Sequence, residues 1–194
     1  SQDAFFILKL GLITMILYFS DFLIRPFFTK YWEYLNETTS KSLTGLIYAI
    51  PGLVALSALY YNHKRPSETP IAKTLITALL LGIVGLVMQG SEQGIVIIIG
   101  RIFYGWSIFQ ATVNFDVLLF ETSTPENYAV DYSKVHFMQS LGVLLASTTA
   151  GIIVEKYSYQ IPFDFALMGF AITLSLFVWL FRHLYKQTTP VHNV

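Results

Sequence analysis

The chain contains no cysteine. A disulfide framework, a thiolate metal site and a cysteine nucleophile are therefore excluded. Charge is scarce as well. Only 12% of the 194 residues are Asp, Glu, Lys or Arg, and the formal net charge is zero, against about 25% charged residues in a soluble domain. No basic run exists, so nucleic acid has no electrostatic footprint to hold. No glycine-rich phosphate loop points to an ATP-driven pump, and no serine stands in a nucleophile elbow. Four histidines, His63, His136, His183 and His192, lack the spacing of metal ligands. The chain is expected not to be an enzyme and to carry no metal or cofactor.

What remains is apolar. Hydrophobic residues make up 54% of the chain and aromatic residues 16%. A soluble fold of this size has too little interior to hide them, whereas a bilayer accepts them outside. Apolar stretches run over about 4–28, 43–61, 71–89, 94–120, 133–154 and 163–185. A helix needs about 20 such residues to cross a hydrocarbon core of about 30 Å. The stretches are too long and too many for a signal peptide. They show no alternating barrel pattern, so helices are left to satisfy the backbone in lipid. The fold class is an all-α membrane protein with six transmembrane helices.

The six spans repeat. Those starting near Phe5, Leu43 and Ile71 are matched, about 90 residues on, by those near Ile95, Ser133 and Phe163. Three is odd, so the second triplet enters the membrane from the opposite side, as a 3+3 inverted repeat. The expected organisation is one bundle over 1–194, with repeats at 4–90 and 94–186 and a cytoplasmic tail at 187–194. Loop charge sets the orientation. Lys9, Lys64, Arg65, Lys73, Lys134, Arg182 and Lys186 fall on one side, and Lys30, Lys41 and Lys156 on the other. Both termini are then cytoplasmic, in a plasma membrane of the bacterial inner type. The polar linker 62–70, with Pro66 and Pro70, reads as a cytoplasmic turn. Tyr31, Trp32, Tyr34, Tyr157 and Tyr159 read as an outer interfacial belt.

Ionisable groups inside a membrane cost several kcal/mol, so each is a functional candidate. Asp21 and Arg25 lie one helical turn apart in the first span. They form either a cavity-facing pair for substrate or proton, or a pair in which Arg25 snorkels to the interface. In the fourth span Gln110, Asn114, Val117 and Glu121 form a stripe, with Asp116 on a neighbouring face. That stripe suits either a wet cavity or an interhelical hydrogen-bond clamp. Tyr18 belongs to an aromatic set with Phe19, Phe22, Phe103, Tyr104, Trp106 and Phe109, which suits an organic substrate or plain packing. His136, three residues before Gln139 at the start of the fifth span, is either a proton-handling group or an interfacial side chain. Pro51 and Gly52 loosen the second span. Gly142, Ala146 and Ala150 form a small-residue stripe in the fifth span that admits another helix.

Several of these stretches together resemble the C-terminal half of a major facilitator superfamily transporter. They are the 3+3 repeat, Gly100-Arg101-Ile102-Phe103-Tyr104-Gly105, and Thr124-Pro125-Glu126-Asn127-Tyr128-Ala129 leading to Ser140-Leu141-Gly142 and Ala150-Gly151-Ile152-Ile153. The stretch Tyr60–Arg65 stands where that family has a Gly/Asp/Arg-rich loop, but here lacks the Gly and Asp. The resemblance implies that spans 1 and 4 line a central cavity and spans 3 and 6 face lipid. Spans 2 and 5 would pack against another half, through Pro51 and Gly52 and through Gly142, Ala146 and Ala150. It also gives Arg101 a structural or a coupling role. The expected function is half of a secondary active transporter working by alternating access. Proton-coupled efflux of a small organic molecule, by antiport, is the expected mode, with Asp21, Asp116 or Glu121 carrying the proton. The chain begins at Ser1, and the expected partner is its own N-terminal half, a separate half-chain or a second copy in a homodimer. The other function considered is a membrane scaffold without a transport cycle.

Overall fold

A computed structural model describes residues 2–64 and 69–182. Arg65, Pro66, His183, Lys186, His192 and the tail expected at 187–194 lie outside the described residues. Among the described residues there are seven helices and no strand: α1 Gln2–Ile24, α2 Phe28–Leu35, α3 Lys41–Lys64, α4 Ile71–Gln89, α5 Gly94–Thr122, α6 Tyr128–Lys156 and α7 Ile161–Leu180. All but α2 are long and apolar enough to cross a membrane.

The chain departs from the expected spans at the first exit. Helix α1 stops at Ile24, about four residues early. Pro26 lacks an N–H and disfavours helical geometry at Arg25, so the chain turns there. It then forms α2, whose Phe28, Tyr31 and Trp32 are buried against the bundle. This corrects the expected belt. Tyr34 and Tyr157 are indeed exposed, but Tyr31 and Trp32 are 2% and 4% exposed. The Tyr31 hydroxyl donates to the carbonyls of Gln89 and Ser91, at 2.9 and 3.0 Å, and ties α2 to the α4–α5 turn. Burial, with the Glu92 and Asp164 carboxylates nearby, pushes the Tyr31 phenol up to about 12.

The two triplets are α1, α3, α4 and α5, α6, α7. Their main contacts run between triplets. Helix α1 packs on α6 and α7, and α5 packs on α3 and α4, while α4 and α7 pack on each other. Exchanging the triplets leaves this pattern unchanged, as an inverted repeat requires. The match reaches single residues. Ser107 of α5 abuts Gly82 of α4, and Ser20 of α1 abuts Gly169 of α7. Ser107 follows Ser20 by 87 residues and Gly169 follows Gly82 by 87. At the α4–α5 crossing, a Cβ at Gly100 would lie 2.7 Å from the Gly85 carbonyl oxygen, and one at Gly85 would lie 2.8 Å from that of Gly100. The two backbones can meet only because both side chains are absent. In lipid no hydrophobic force drives helices together, so such close van der Waals contact is what holds them.

Burial separates the helices by role. Of the membrane-crossing residues, 56% are buried in α1 and 50% in α5, but only 17% in α3 and 28% in α6. The leading helices of the triplets are thus the centre of the bundle. The second helices present long apolar faces outward, including Leu46, Leu53 and Leu56 on α3 and Leu144 and Leu145 on α6. Helices α4 and α7 close the back.

Two glycine substitutions test the crossing. Gly100→Val should cost about 1–3 kcal/mol through overpacking and lower the thermal midpoint in detergent. Gly45→Val, where a Cβ meets nothing within 4 Å, should leave it within the scatter of a surface change. Equal effects of the two would contradict the crossing.

Candidate functional site

The site grows from one missing atom. In a helix the N–H of residue 51 should bond the carbonyl of Ile47, but Pro51 has no N–H. The orphaned carbonyl would stand unpaired in apolar surroundings. Arg101 of α5 fills the gap: its Nε donates to the Ile47 carbonyl at 2.8 Å and its Nη2 to the Tyr48 carbonyl at 2.6 Å. Its Nη1 donates to the Gln89 side-chain oxygen of α4 at 3.1 Å. The guanidinium lies 3.6 Å from the centre of the Phe28 ring. One buried arginine therefore joins α2, α3, α4 and α5.

Asp21 sits beside it on α1, 3% exposed. It pairs with Arg25 Nη2 at 2.5 Å and accepts a hydrogen bond from the Tyr104 hydroxyl of α5. Arg25 is half-exposed and lies over the Phe22 ring. Asp21, Arg25, Tyr48, Gly52, Arg101 and Tyr104 are among the residues lining a groove of about 620 Å³ between α1, α3 and α5.

The polar stripe of α5 divides in two. Gln110 is buried and exchanges two hydrogen bonds with Asn62 of α3, at 3.0 and 3.1 Å. Beside this pair Tyr61 meets Trp106, with ring centres 5.5 Å apart. That end is an interhelical clamp. Further along, Asn114 donates to the Gln110 carbonyl of its own helix at 2.7 Å, Asp116 is half-buried, and Val117 and Glu121 are exposed. Tyr18 is half-buried on α1. His136 stacks on Tyr132, one turn earlier on α6, and is exposed.

The small-residue stripe points elsewhere than the resemblance implied. Ala146 and Ala150 are fully buried, and a Cβ on Gly142 would strike the Met15 carbonyl. The stripe meets α1 of the same chain, so it is an internal seam and not a contact for another half. Pro51 likewise packs closely on Gly105 of α5. Gly52 alone of that group is exposed on the open side.

Asn62 and Gln89 were not singled out as site residues in the sequence, and Tyr31 was read there only as part of the interfacial belt. The signal available for them was indirect. Pro51 guarantees an orphaned carbonyl, and Arg101 is a donor at similar depth on a neighbouring helix. Gln89 and Asn62 sit at span ends, where amides are unremarked.

The architecture defines a class: an integral, multi-pass membrane protein of six membrane-length helices in two triplets, with the fold seen in part of solved transporters. Among solved structures, a peptide transporter POT, in a mutant form bound to alafosfalin, superposes with a TM-score of 0.80 at 18% identity, covering 91% of this chain and 38% of that chain. The same transporter in complex with sulfate gives 0.79 at 18% identity, covering 89% and 37%. This chain thus spans well under half the length of those transporters. No protein-family model matches the sequence, and no curated protein matches it.

The amide pair yields a sharp test. Asn62→Leu should cost about 1–3 kcal/mol, because the buried Gln110 amide is left unpaired, and Gln110→Leu should cost less, because Asn62 is only half-buried. Asn62→Leu with Gln110→Leu should recover most of that loss in thermal midpoint. A double variant no better than the sum of the singles would remove the clamp from the account.

Proposed function

We propose that this chain is one six-helix half of a secondary transporter that moves a small organic molecule across a membrane by alternating access. The observation that carries the reading is the charged groove of α1, α3 and α5, together with the uncovered apolar faces of α3 and α6. A second six-helix bundle seated on those faces would make the groove one wall of a central pocket. The occupant we propose is an N-terminal half of the same polypeptide; the greater length of the similar peptide transporters supports it. A separate half-chain or a second copy are the other outcomes of a mass measurement. The likeness makes small peptide-like compounds the first substrates to try. No enzymatic role is proposed.

Energy coupling is assigned to proton exchange at Asp21. Protonation there removes the partner of Arg25 and weakens the acceptor for Tyr104, so charge and helix contact change together. Asp116 is a second carrier on α5, and exposed Glu121 a third. The loop charges support cytoplasmic termini, and the membrane we propose is a plasma membrane of the bacterial inner type. Efflux by antiport, the expected mode, requires proton and substrate to compete. Uptake by symport requires them to bind together. The pH gradient that drives flux of a given compound distinguishes the two.

The competing scaffold reading is supported by the Asn62–Gln110 clamp. Because the chain lacks cysteine, single cysteines separate the two. Gly52→Cys and Asn114→Cys should each label with a membrane-impermeant thiol reagent, from opposite faces, and substrate should change the two rates in opposite senses. Protection of both positions from both faces under all conditions would leave the scaffold.

A further inference from the structure

We propose, building on the transporter reading, that the groove between α1, α3 and α5 takes a small organic oxyanion, a carboxylate or phosphonate, held by the charge of Arg101. The first ground is charge balance. Arg25 is neutralised by Asp21 at 2.5 Å. Arg101 bonds only neutral acceptors, two carbonyls and one amide oxygen. Among the described residues the salt bridges are Arg25–Asp21 and Lys134–Asp131, so Arg101 has no direct ion-pair partner. The groove carries one net positive charge at membrane depth.

The second ground is that the structural task does not need this charge. A neutral donor would satisfy the Ile47 carbonyl left by Pro51. A cation in lipid costs several kcal/mol unless something answers it. An anionic ligand answers it.

The third ground is geometry. A guanidinium offers five N–H donors, and three are used within the protein. Arg101 lines the groove, whose volume of about 620 Å³ falls within the range of small-molecule sites, about 300–1,000 Å³. Gly52 leaves the α3 side low, with nothing within 4 Å of where its Cβ would be. Leu53 and Leu56 give the groove an apolar wall for the carbon skeleton of the ligand.

The test uses phthalate as the organic anion and tetraphenylphosphonium as the organic cation, with the full chain in lipid nanodiscs. Substituting Arg101 alone would also orphan the Ile47 carbonyl. Pro51→Ala restores a backbone N–H for that carbonyl, so the comparison is made in its background. Phthalate affinity is read first in Pro51→Ala, which serves as the reference for the pair of variants. Pro51→Ala with Arg101→Gln should bind phthalate at least tenfold more weakly, about 1.4 kcal/mol. Asp21→Asn releases Arg25 and should tighten phthalate severalfold while weakening the cation. Equal phthalate affinity with and without the Arg101 charge, or preference for the cation in the wild type, would overturn the assignment. If the double variant fails to fold, Asp21→Asn decides: tightening supports the oxyanion site and an unchanged affinity rejects it. The transport reading fails separately. Phthalate binding with no gradient-driven flux of any tested compound would leave an anion site without a carrier. Gradient-driven flux that ignores Arg101 would leave a carrier without this site.

Discussion

A carbonyl without its helical partner is the constraint on which this structure turns. Pro51 deletes the N–H that Ile47 would use, and lipid offers no water to replace it. The bundle answers with Arg101 from the opposite triplet. Once that arginine is fixed, Gln89 is fixed as an acceptor on α4 and Phe28 as a ring beneath the guanidinium. Tyr31 then locks the Gln89 and Ser91 carbonyls to α2. The groove with its charges is the open side of this same junction. A backbone defect in one helix thus becomes the organising centre of four.

The rest of the bundle follows from having no hydrophobic drive between helices in lipid. Close approach must supply the adhesion. It does so through glycines at backbone crossings and small hydroxyls against them, placed at matching points of both triplets. Because the contacts run mostly between triplets, neither triplet buries much on its own. The leading helices end up central, and the second helices are left with uncovered faces that only a further bundle or lipid can meet.

Much of this was legible in the sequence, and the losses have definite causes. Helical spans are readable because hydrocarbon thickness sets a length and composition that nothing else in the chain mimics. The inverted repeat is readable because span order survives when residue identity does not. What failed depended on direction. The Gly142, Ala146 and Ala150 stripe was visible, but small residues say that some helix comes close, not which one; here it is α1. Tyr31 and Trp32 have the chemistry of an interfacial belt, and only the turn at Pro26 folds them inward. At the site, the Asp21–Arg25 pair follows from helical spacing alone. The Arg101 role needed a contact across about 50 residues between two helices, which no local pattern encodes. Gln110 carried both a cavity and a clamp reading, and the facing Asn62 gives it the clamp.

The central claim is that Arg101 supplies the hydrogen bond that Pro51 removes. A thermodynamic cycle over Pro51→Ala and Arg101→Gln, read by reversible unfolding in detergent, measures it directly. The account predicts that losing Arg101 is less costly in the Pro51→Ala background, with a coupling of about 1–3 kcal/mol. Additivity of the two substitutions within about 0.5 kcal/mol would contradict it.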